Sequence, residues 1–309
     1  VNFGAYQYFD GTSLSETAAA KGHFRFTPPT DFKALNNDNL TESDSFQSAF
    51  SWIKNRDAAD EHMLFDRPRG IYKEINSNDN TVETTDVDTL QRFLKQGALI
   101  GDDVRVNTFN ENYVYWDWFI EATGSGTANT DGATDTTLTL VDTTSGFSIG
   151  KYQGTGSTTT FGHGLGAVPA FMSFRNVEAE ENWRVYHKDN TAAPETEYLS
   201  WANDAATTDL DTTFNDTAPT STVFTVGSSA ATNQSGKTII CYIWIEIEGY
   251  SKFGFYTGNG LTDGAMAVTG FKPAYVMIKK TSGTGNWVIY DSARSPYNEI
   301  DDQLLANTT

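Results

Sequence analysis

Ala170-Phe-Met-Ser-Phe-Arg-Asn176, followed by Trp183-Arg-Val-Tyr-His187, has two counterparts in the same chain. Ala49-Phe-Ser-Trp-Ile-Lys-Asn-Arg56 leads to His62-Met-Leu-Phe-Asp66, and Ala274-Tyr-Val-Met-Ile-Lys-Lys280 leads to Trp287-Val-Ile-Tyr-Asp291. The offsets are 121 and 104 residues, and both hold without gaps through these segments. A second block closes each unit. Leu99-Ile-Gly101, Asn107 and Tyr113-Val-Tyr-Trp-Asp-Trp118 stand 126 residues before Thr225-Val-Gly227, Asn233 and Ile239-Ile-Cys-Tyr-Ile-Trp244. A third block opens the later units: Tyr152-Gln-Gly-Thr-Gly156 and Gly166-Ala-Val-Pro169 recur as Tyr256-Thr-Gly-Asn-Gly260 and Gly270-Phe-Lys-Pro273. Self-similarity at this spacing decides the architecture before any single motif does.

The repeated segments are short runs of Val, Ile, Phe, Tyr and Trp bounded by Gly, Asn, Asp, Ser and Thr. That is the signature of strands separated by turns. The expected fold is all-β, with tandem β-sandwich or jelly-roll units of about 100 residues each and little helix. The best helical pattern is Asp86–Lys95, with apolar residues at 87, 90 and 94, enough for two turns. One unit is expected over 43–122, a complete one over 147–249, and the start of a third over 250–309, giving two β-domains in a row with partial flanking ones. Residues 123–146, small and polar around Gly124–Asp135, read as a linker. Residues 1–42 match nothing in the repeats, and Phe24-Arg-Phe-Thr-Pro-Pro-Thr-Asp-Phe32 looks like the last strand of a preceding domain and a connector. With no initiator Met and no leader pattern at Val1-Asn2-Phe3-Gly4, the sequence reads as a piece of a longer product. The first unit lacks the Tyr-x-Gly-x-Gly opening strand, so units one or three are expected to pair with residues outside their own repeat.

Composition narrows the function. At 309 residues, with 21 basic against 40 acidic side chains, the net charge is −19. Nucleic acid is an unsuitable partner, because phosphate neutralisation needs clustered Lys and Arg. The longest apolar run, Ile239–Ile247, is half a membrane span and contains an acid, so no membrane insertion is expected. The single cysteine, Cys241, excludes an internal disulfide and a cysteine zinc cage, and it reads as a small buried hydrophobe.

Phe26-Thr-Pro-Pro-Thr-Asp-Phe-Lys-Ala-Leu-Asn36 resembles the exit from a SPRY-like, concanavalin-type domain of large structural proteins of marine bacteriophages. Trp52-Ile-Lys-Asn-Arg56, Leu64-Phe-Asp66 and Arg69-Gly70 are similar to the start of the repeat that follows it there. Gly162-His-Gly-Leu-Gly166, Tyr256-Thr-Gly-Asn-Gly260 and Asn286–Arg294 are similar to later copies. The resemblance implies a virion, tail-fibre-like appendage, extracellular, assembled from copies of itself (a homotrimer) with other virion proteins, and without catalytic residues to carry over.

Chemistry-bearing residues are sparse. The Gly-x-Gly turns at 154–156 and 258–260 lack the Lys-Ser and the helix that a phosphate cradle needs. His23, His62, His163 and His187 have no metal-ligand spacing and read as surface or turn positions. No Gly-x-Ser-x-Gly elbow occurs, and no catalytic residue is assigned. Asp102, Asp103, Asn129 and Asp131, with Asp86 and Asp88, offer hard oxygens on loops for a structural calcium, without EF-hand spacing. Trp183 and Trp287 stand where the first unit has His62; the aromatic kept nearby in all three units, at Phe65, Tyr186 and Tyr290, favours core packing for them, and the other reading makes Trp183, His187, Trp287 and Asp291 the candidates for glycan contact. The expected function is a non-enzymatic virion structural protein that contributes to host attachment. The alternative is a lectin-like module recognising a host-surface glycan, and a hydrolase with two facing carboxylates comes third.

Overall fold

The computed structural model describes residues 46–94, 97–122 and 124–309. The expected end of a preceding domain over 1–42, and His23 with it, lie outside the described residues. The fold is all-β, built from antiparallel sheets with only single-turn helices between them.

The first unit contains β1 (Phe46–Asn55), β2 (Met63–Asp66), β3 (Lys73–Asn76), β4 (Thr84–Thr85), β5 (Leu90–Leu94), β6 (Gly97–Ile100) and β7 (Tyr113–Glu121). The second contains β8 (Leu138–Asp142), β9 (Phe147–Gln153), β10 (Thr159–Gly162), β11 (Phe171–Asn176) and β12 (Arg184–His187). It continues with β13 (Glu197–Tyr198), β14 (Thr208–Asp209), β15 (Val223–Val226) and β16 (Thr238–Trp244). The third contributes β17 (Tyr275–Lys279), β18 (Trp287–Asp291) and β19 (Leu304–Leu305). The main sheets run β4-β3-β2-β1-β7, β12-β11-β16-β9-β8 and β17-β18-β19.

The sequence repeat is a register repeat. Phe50 lies opposite Asp66, Phe171 opposite His187 and Tyr275 opposite Asp291. On the other edge of the central strand, Phe50 faces Trp118 and Phe171 faces Trp244. In these strands the offsets therefore carry each residue to the same place in the next sheet, whereas the match of Tyr152 to Tyr256 leads to a stretch without a strand. A one-residue slip would turn each strand's side chains to the opposite face, so this agreement fixes which residues point inward.

The second main sheet is apolar on both faces, which is why its strands read as continuous hydrophobic runs. Along β16, Ile240 and Tyr242 enter one core while Ile239, Cys241 and Ile243 enter another. The second core belongs to one unit: β10 pairs with β15 to cover the outer face of the second sheet, over Phe161, Phe174 and Phe224. In the first unit β5 and β6 form the matching cover over Ile53, Phe65 and Leu90. β6 and β15 are related by the 126-residue offset, as are the short helices Val104–Asn107 and Ala230–Asn233. Their partners differ in origin: β5 follows β4, whereas β10 precedes β11.

The first core is shared by all three units. Trp52, Trp116, Trp183, Trp201, Tyr242 and Trp287 are buried together in it, with Trp118, Trp244 and Tyr275 packed against them. Ring pairs cross between units: Phe50 with Tyr242 at 4.4 Å, Trp52 with Trp201 at 5.4 Å, and Trp116 with Tyr275 at 5.5 Å. Large aromatics of this kind bury about 200 Å² each, worth roughly 3–5 kcal/mol apiece before conformational entropy is subtracted.

Several expectations change. Leu90–Leu94 is strand β5, not part of a helix over 86–95: Leu90 is buried opposite Ile100 while Val87 is exposed, so the 87/90/94 stripe never faces a core together. The stretch 123–146 does more than connect, since Leu138–Asp142 adds strand β8 to the edge of β9. Among the described residues, the named strands of units one and three pair within their own repeats, while loop backbone bonds (Glu83 N–H to Val177 O, Gly285 N–H to Asp204 O) join both to unit two, as residues outside the repeat were expected to do. His62 and His163 are buried rather than on the surface, His62 between Trp52 and the Leu305 carbonyl and His163 between the Leu165 N–H and the Thr220 carbonyl.

Candidate functional site

The most organised region is the junction where the three units meet. His62, Trp183 and Trp287 occupy one repeat position, and Asn76, Ser200 and Leu305 occupy another, one residue past the β3-type partner of the second strand. Trp183 Nε1 of unit two donates to the Asn76 carbonyl of unit one at 2.8 Å. Trp287 Nε1 of unit three donates to the Ser200 carbonyl of unit two at 2.6 Å. His62 Nε2 of unit one lies 3.0 Å from the Leu305 carbonyl of unit three. Three equivalent bonds thus run head to tail and close a ring. Trp52 Nε1 donates to His62 Nδ1 at 2.8 Å, which leaves the imidazole proton on Nε2, directed at Leu305. Burial among these rings pushes the His62 pKa down to about 3, so the imidazole is neutral at ordinary pH.

A second set of bonds runs in the same direction. Asp66 and Asp291 share a repeat position, and each holds an arginine three residues on, Arg69 and Arg294. The guanidinium Nε meets one carboxylate oxygen, the arginine's own N–H meets the other, and Nη2 reaches back to Leu64 or Ile289. Both carboxylates also accept across units: Tyr242 Oη donates to Asp66 at 2.7 Å and Trp116 Nε1 donates to Asp291 at 3.1 Å. Tyr242 and Trp116 are themselves equivalent in the closing strands. The second unit departs from this pattern, with His187 and Asn190 in place of the acid and the arginine. Buried ion pairs gain little net energy, but losing one partner leaves the other charge unpaired, so they fix which surfaces dock.

One carboxylate stands apart. Asp117 on β7 accepts from Ser48 Oγ at 2.6 Å, Ser51 Oγ at 3.2 Å and Tyr115 Oη at 2.8 Å. Burial raises its pKa to about 6 despite those three hydroxyls. In the second unit the same positions hold Met172, Cys241 and Ile243, all buried in the apolar outer core. Where unit two packs hydrocarbon, unit one carries a hydroxyl-lined acid. A shallow cleft of about 250 Å³ lies elsewhere, between units one and three, lined by Lys54, Asp57, His62, Leu305 and Thr309 among others. Lys54 Nζ is engaged by the Asn55 and Ala58 carbonyls, and both His62 nitrogens are engaged in the ring.

The residues singled out for glycan contact lie at the unit junctions. Trp183 is 0% exposed and Trp287 3%, so neither indole presents a face on which a sugar ring stacks. Their burial agrees with the core-packing reading and removes the glycan-contact alternative for both. The reason is sheet docking, which turns these strand ends inward, where no periodicity in the sequence records it. Asp291 is buried and bound to Arg294 and Trp116. His187 is half-buried, edge-on to Phe171 and Phe253, with Nδ1 accepting the Asp189 N–H.

The loop acids do not converge. Asp103 caps the helix Val104–Asn107 and binds Arg105, whose guanidinium also reaches Glu74 and Asp86. The cation at that cluster is the arginine itself. Asn129 and Asp131 bond to each other in a turn, and Asp102 lies exposed beside Asp103. Among the described residues no three His, Cys, Asp or Glu side chains are grouped to hold a metal ion. Cys241 is buried, with Sγ against the Gly150 carbonyl, and burial raises its pKa.

Sequence reasoning passed over the Asp-x-x-Arg pairs, although Asp66/Arg69 and Asp291/Arg294 recur at the summed repeat offset, a signal that was present. It also passed over Asp117, for which no signal existed, because the Ser48 and Ser51 hydroxyls reach it only through the β1–β7 pairing.

The model of a protein family described as "Domain of unknown function (DUF7483)" matches residues 32–309, which take in all three units. The chain belongs to that family. No curated protein and no solved structure matches it.

Proposed function

We propose that this DUF7483 member is a non-enzymatic structural module of an extracellular bacteriophage appendage, tail-fibre-like, that works as an assembled homotrimer with other virion proteins in host attachment. The virion assignment rests on the resemblance of its repeat to those of marine-phage structural proteins. The observation that carries the structural role is the ring of His62, Trp183 and Trp287. The repeat positions richest in polar and aromatic chemistry are used to bind the units to one another. A strongly acidic surface, at net charge −19, keeps such modules apart except where surfaces are complementary.

The test is immunogold imaging of intact virions with antibody against residues 147–249. Gold on slender appendages is the expected result. Unlabelled particles, with the epitope shown accessible on detergent-opened virions, would remove the assignment. Light scattering of the purified chain reads the oligomer directly: a mass of about three chains is expected for the trimer, and a monomer at every concentration refutes it.

A further inference from the structure

We infer that the turn over 107–112 of unit one is a docking site for a Gly-x-Gly segment with basic flanks, supplied by a protein other than this chain. The inference is independent of the virion assignment, since it rests on one turn built twice in the same structure.

Unit two shows what such a turn holds. The helix Ala230–Asn233 runs into a turn over 234–237, and Gly154-Thr-Gly156 lies against it. Gly154 N–H donates to the Lys237 carbonyl, Gly236 N–H to the Gly154 carbonyl and Gly156 N–H to the Asn233 carbonyl, each at 2.8 Å. Thr155 N–H donates to Asn233 Oδ1 at 2.7 Å. The approach excludes side chains at both glycines. A Cβ on Gly154 would collide with the Gln234 carbonyl oxygen, and Gly156, at φ +76°, lies directly over Ser235.

Unit one carries the same turn 126 residues earlier. Asn107, like Asn233, returns its amide to a glycine carbonyl. Glu111 N–H bonds the Thr108 carbonyl as Lys237 N–H bonds that of Gln234. Asn110 takes φ +64° where Gly236 takes +72°. The segment that fills the turn has no counterpart ahead of β1, because the sequence contains no glycine between Gly22 and Gly70. The counterparts of the groups bonded in unit two are the Asn107 carbonyl and Oδ1, the Asn110 N–H and the Glu111 carbonyl. Among the described residues none of them has a hydrogen-bond partner. Asn107 is exposed where Asn233 is fully buried, and Phe109, in the place of Ser235, is 88% exposed.

Charge identifies the flanks of the occupant. The filled turn of unit two is bordered by Glu178, Ser228 and Lys237, whose charges cancel. The same positions in unit one hold Asp57, Asp102 and Glu111, with Arg56 beside Asp57. Three acids against one cation, next to an exposed phenyl ring, match lysine or arginine on either side of the glycines. A second copy suits the site poorly. Its Gly154–Gly156 is already bound, Asp263 follows its Gly258–Gly260, and two chains at −19 repel one another.

The test uses the full chain, isotope-labelled, and the synthetic peptide Lys-Gln-Gly-Thr-Gly-Ser-Lys, read by amide chemical shifts and hydrogen exchange. Saturating peptide is expected to shift the amides over 107–112 and to slow exchange of the Asn110 N–H by about tenfold or more, while the filled turn over 234–237 stays unchanged. The peptide with valine for its first glycine is expected not to bind. Asp102→Ser, which installs the unit-two residue, is expected to weaken binding about twofold to fivefold at low salt, a difference that shrinks as salt is added. No shifts over 107–112, or equal binding by the valine peptide, overturns the proposal. So does an Asn110 N–H already protected in the chain alone, which would mean that this chain or a second copy fills the turn. Equal binding by a peptide flanked with glutamate refutes the basic partner.

Discussion

Protonating His62 should unfasten the ring. Its folded pKa lies near 3, against 6.5 for an exposed imidazole. The sign follows from which state binds the proton. The unfolded chain protonates as pH falls through 6.5 while the folded one stays neutral, so this residue's contribution is complete above pH 6.5 and is lost on acidification, until about pH 3. Between pH 6.5 and 4.5 the loss amounts to about 2–3 kcal/mol, at 1.36 kcal/mol for each unit of pH. The neighbours Trp52 Nε1 and Lys54 offer the imidazolium no anion. His163 and His187, also lowered by burial, add a loss of the same sign, so the diagnostic quantity is a difference. Urea unfolding of wild type and His62→Gln, followed by tryptophan fluorescence at pH 7.0 and pH 4.5, measures it. The variant is expected to be weaker than wild type at pH 7.0 by about 1–3 kcal/mol, having lost one ring bond, and to lose about 2–3 kcal/mol less on acidification. A gap between the two proteins that stays constant from pH 7.0 to 4.5 would refute the assignment of a buried, neutral His62.

Three other perturbations probe the remaining devices. Asp66→Ala strands the buried Arg69 guanidinium and the Tyr242 hydroxyl together, and a loss of about 3–5 kcal/mol in denaturant titration is expected. Asn233 and Asn107 hold one repeat position, where each amide returns to a glycine carbonyl, Gly227 or Gly101. Asn233 is fully buried and also binds the Thr155 N–H and the Ser157 carbonyl, so Asn233→Ala should cost about 2–3 kcal/mol, and Asn107→Ala, at an exposed site, under about 1 kcal/mol. Asp117 has the opposite linkage to His62. Its folded pKa, about 6, lies above the ordinary 3.8, so its burial cost is absent below about pH 4 and complete above pH 6. Asp117→Asn should flatten that slope and stabilise the chain by about 1–3 kcal/mol at pH 7, and a variant no more stable than wild type at pH 7 argues against it.

The fold class and the strand register were legible because repeats preserve registration: the offsets from Ala49 to Ala170 to Ala274 carry each paired residue onto its counterpart. The closing strands were legible as strands for the same reason. What the sequence could not record is the docking of one sheet on another. Trp183 and Trp287 could be read as core aromatics, but not as ones whose indole N–H groups are bound by Asn76 and Ser200 of the neighbouring units. His62 hides in the same way, since its partners Trp52 and Leu305 lie 10 and 243 residues away. The strand at Leu90–Leu94 misled for a different reason. Its spacing of apolar residues suits a helical turn, and only pairing with Gly97–Ile100 decides otherwise.

Head-to-tail closure sets a copy number. In an open solenoid each repeat offers its successor a fresh surface, so arrays lengthen one repeat at a time and need caps at both ends. Here the donor of unit one already reaches the acceptor of unit three, and a fourth repeat would find both roles taken. Removing a single unit would leave one donor and one acceptor of the ring without their partners. Closure at three is what one imidazole and two indoles impose on these units.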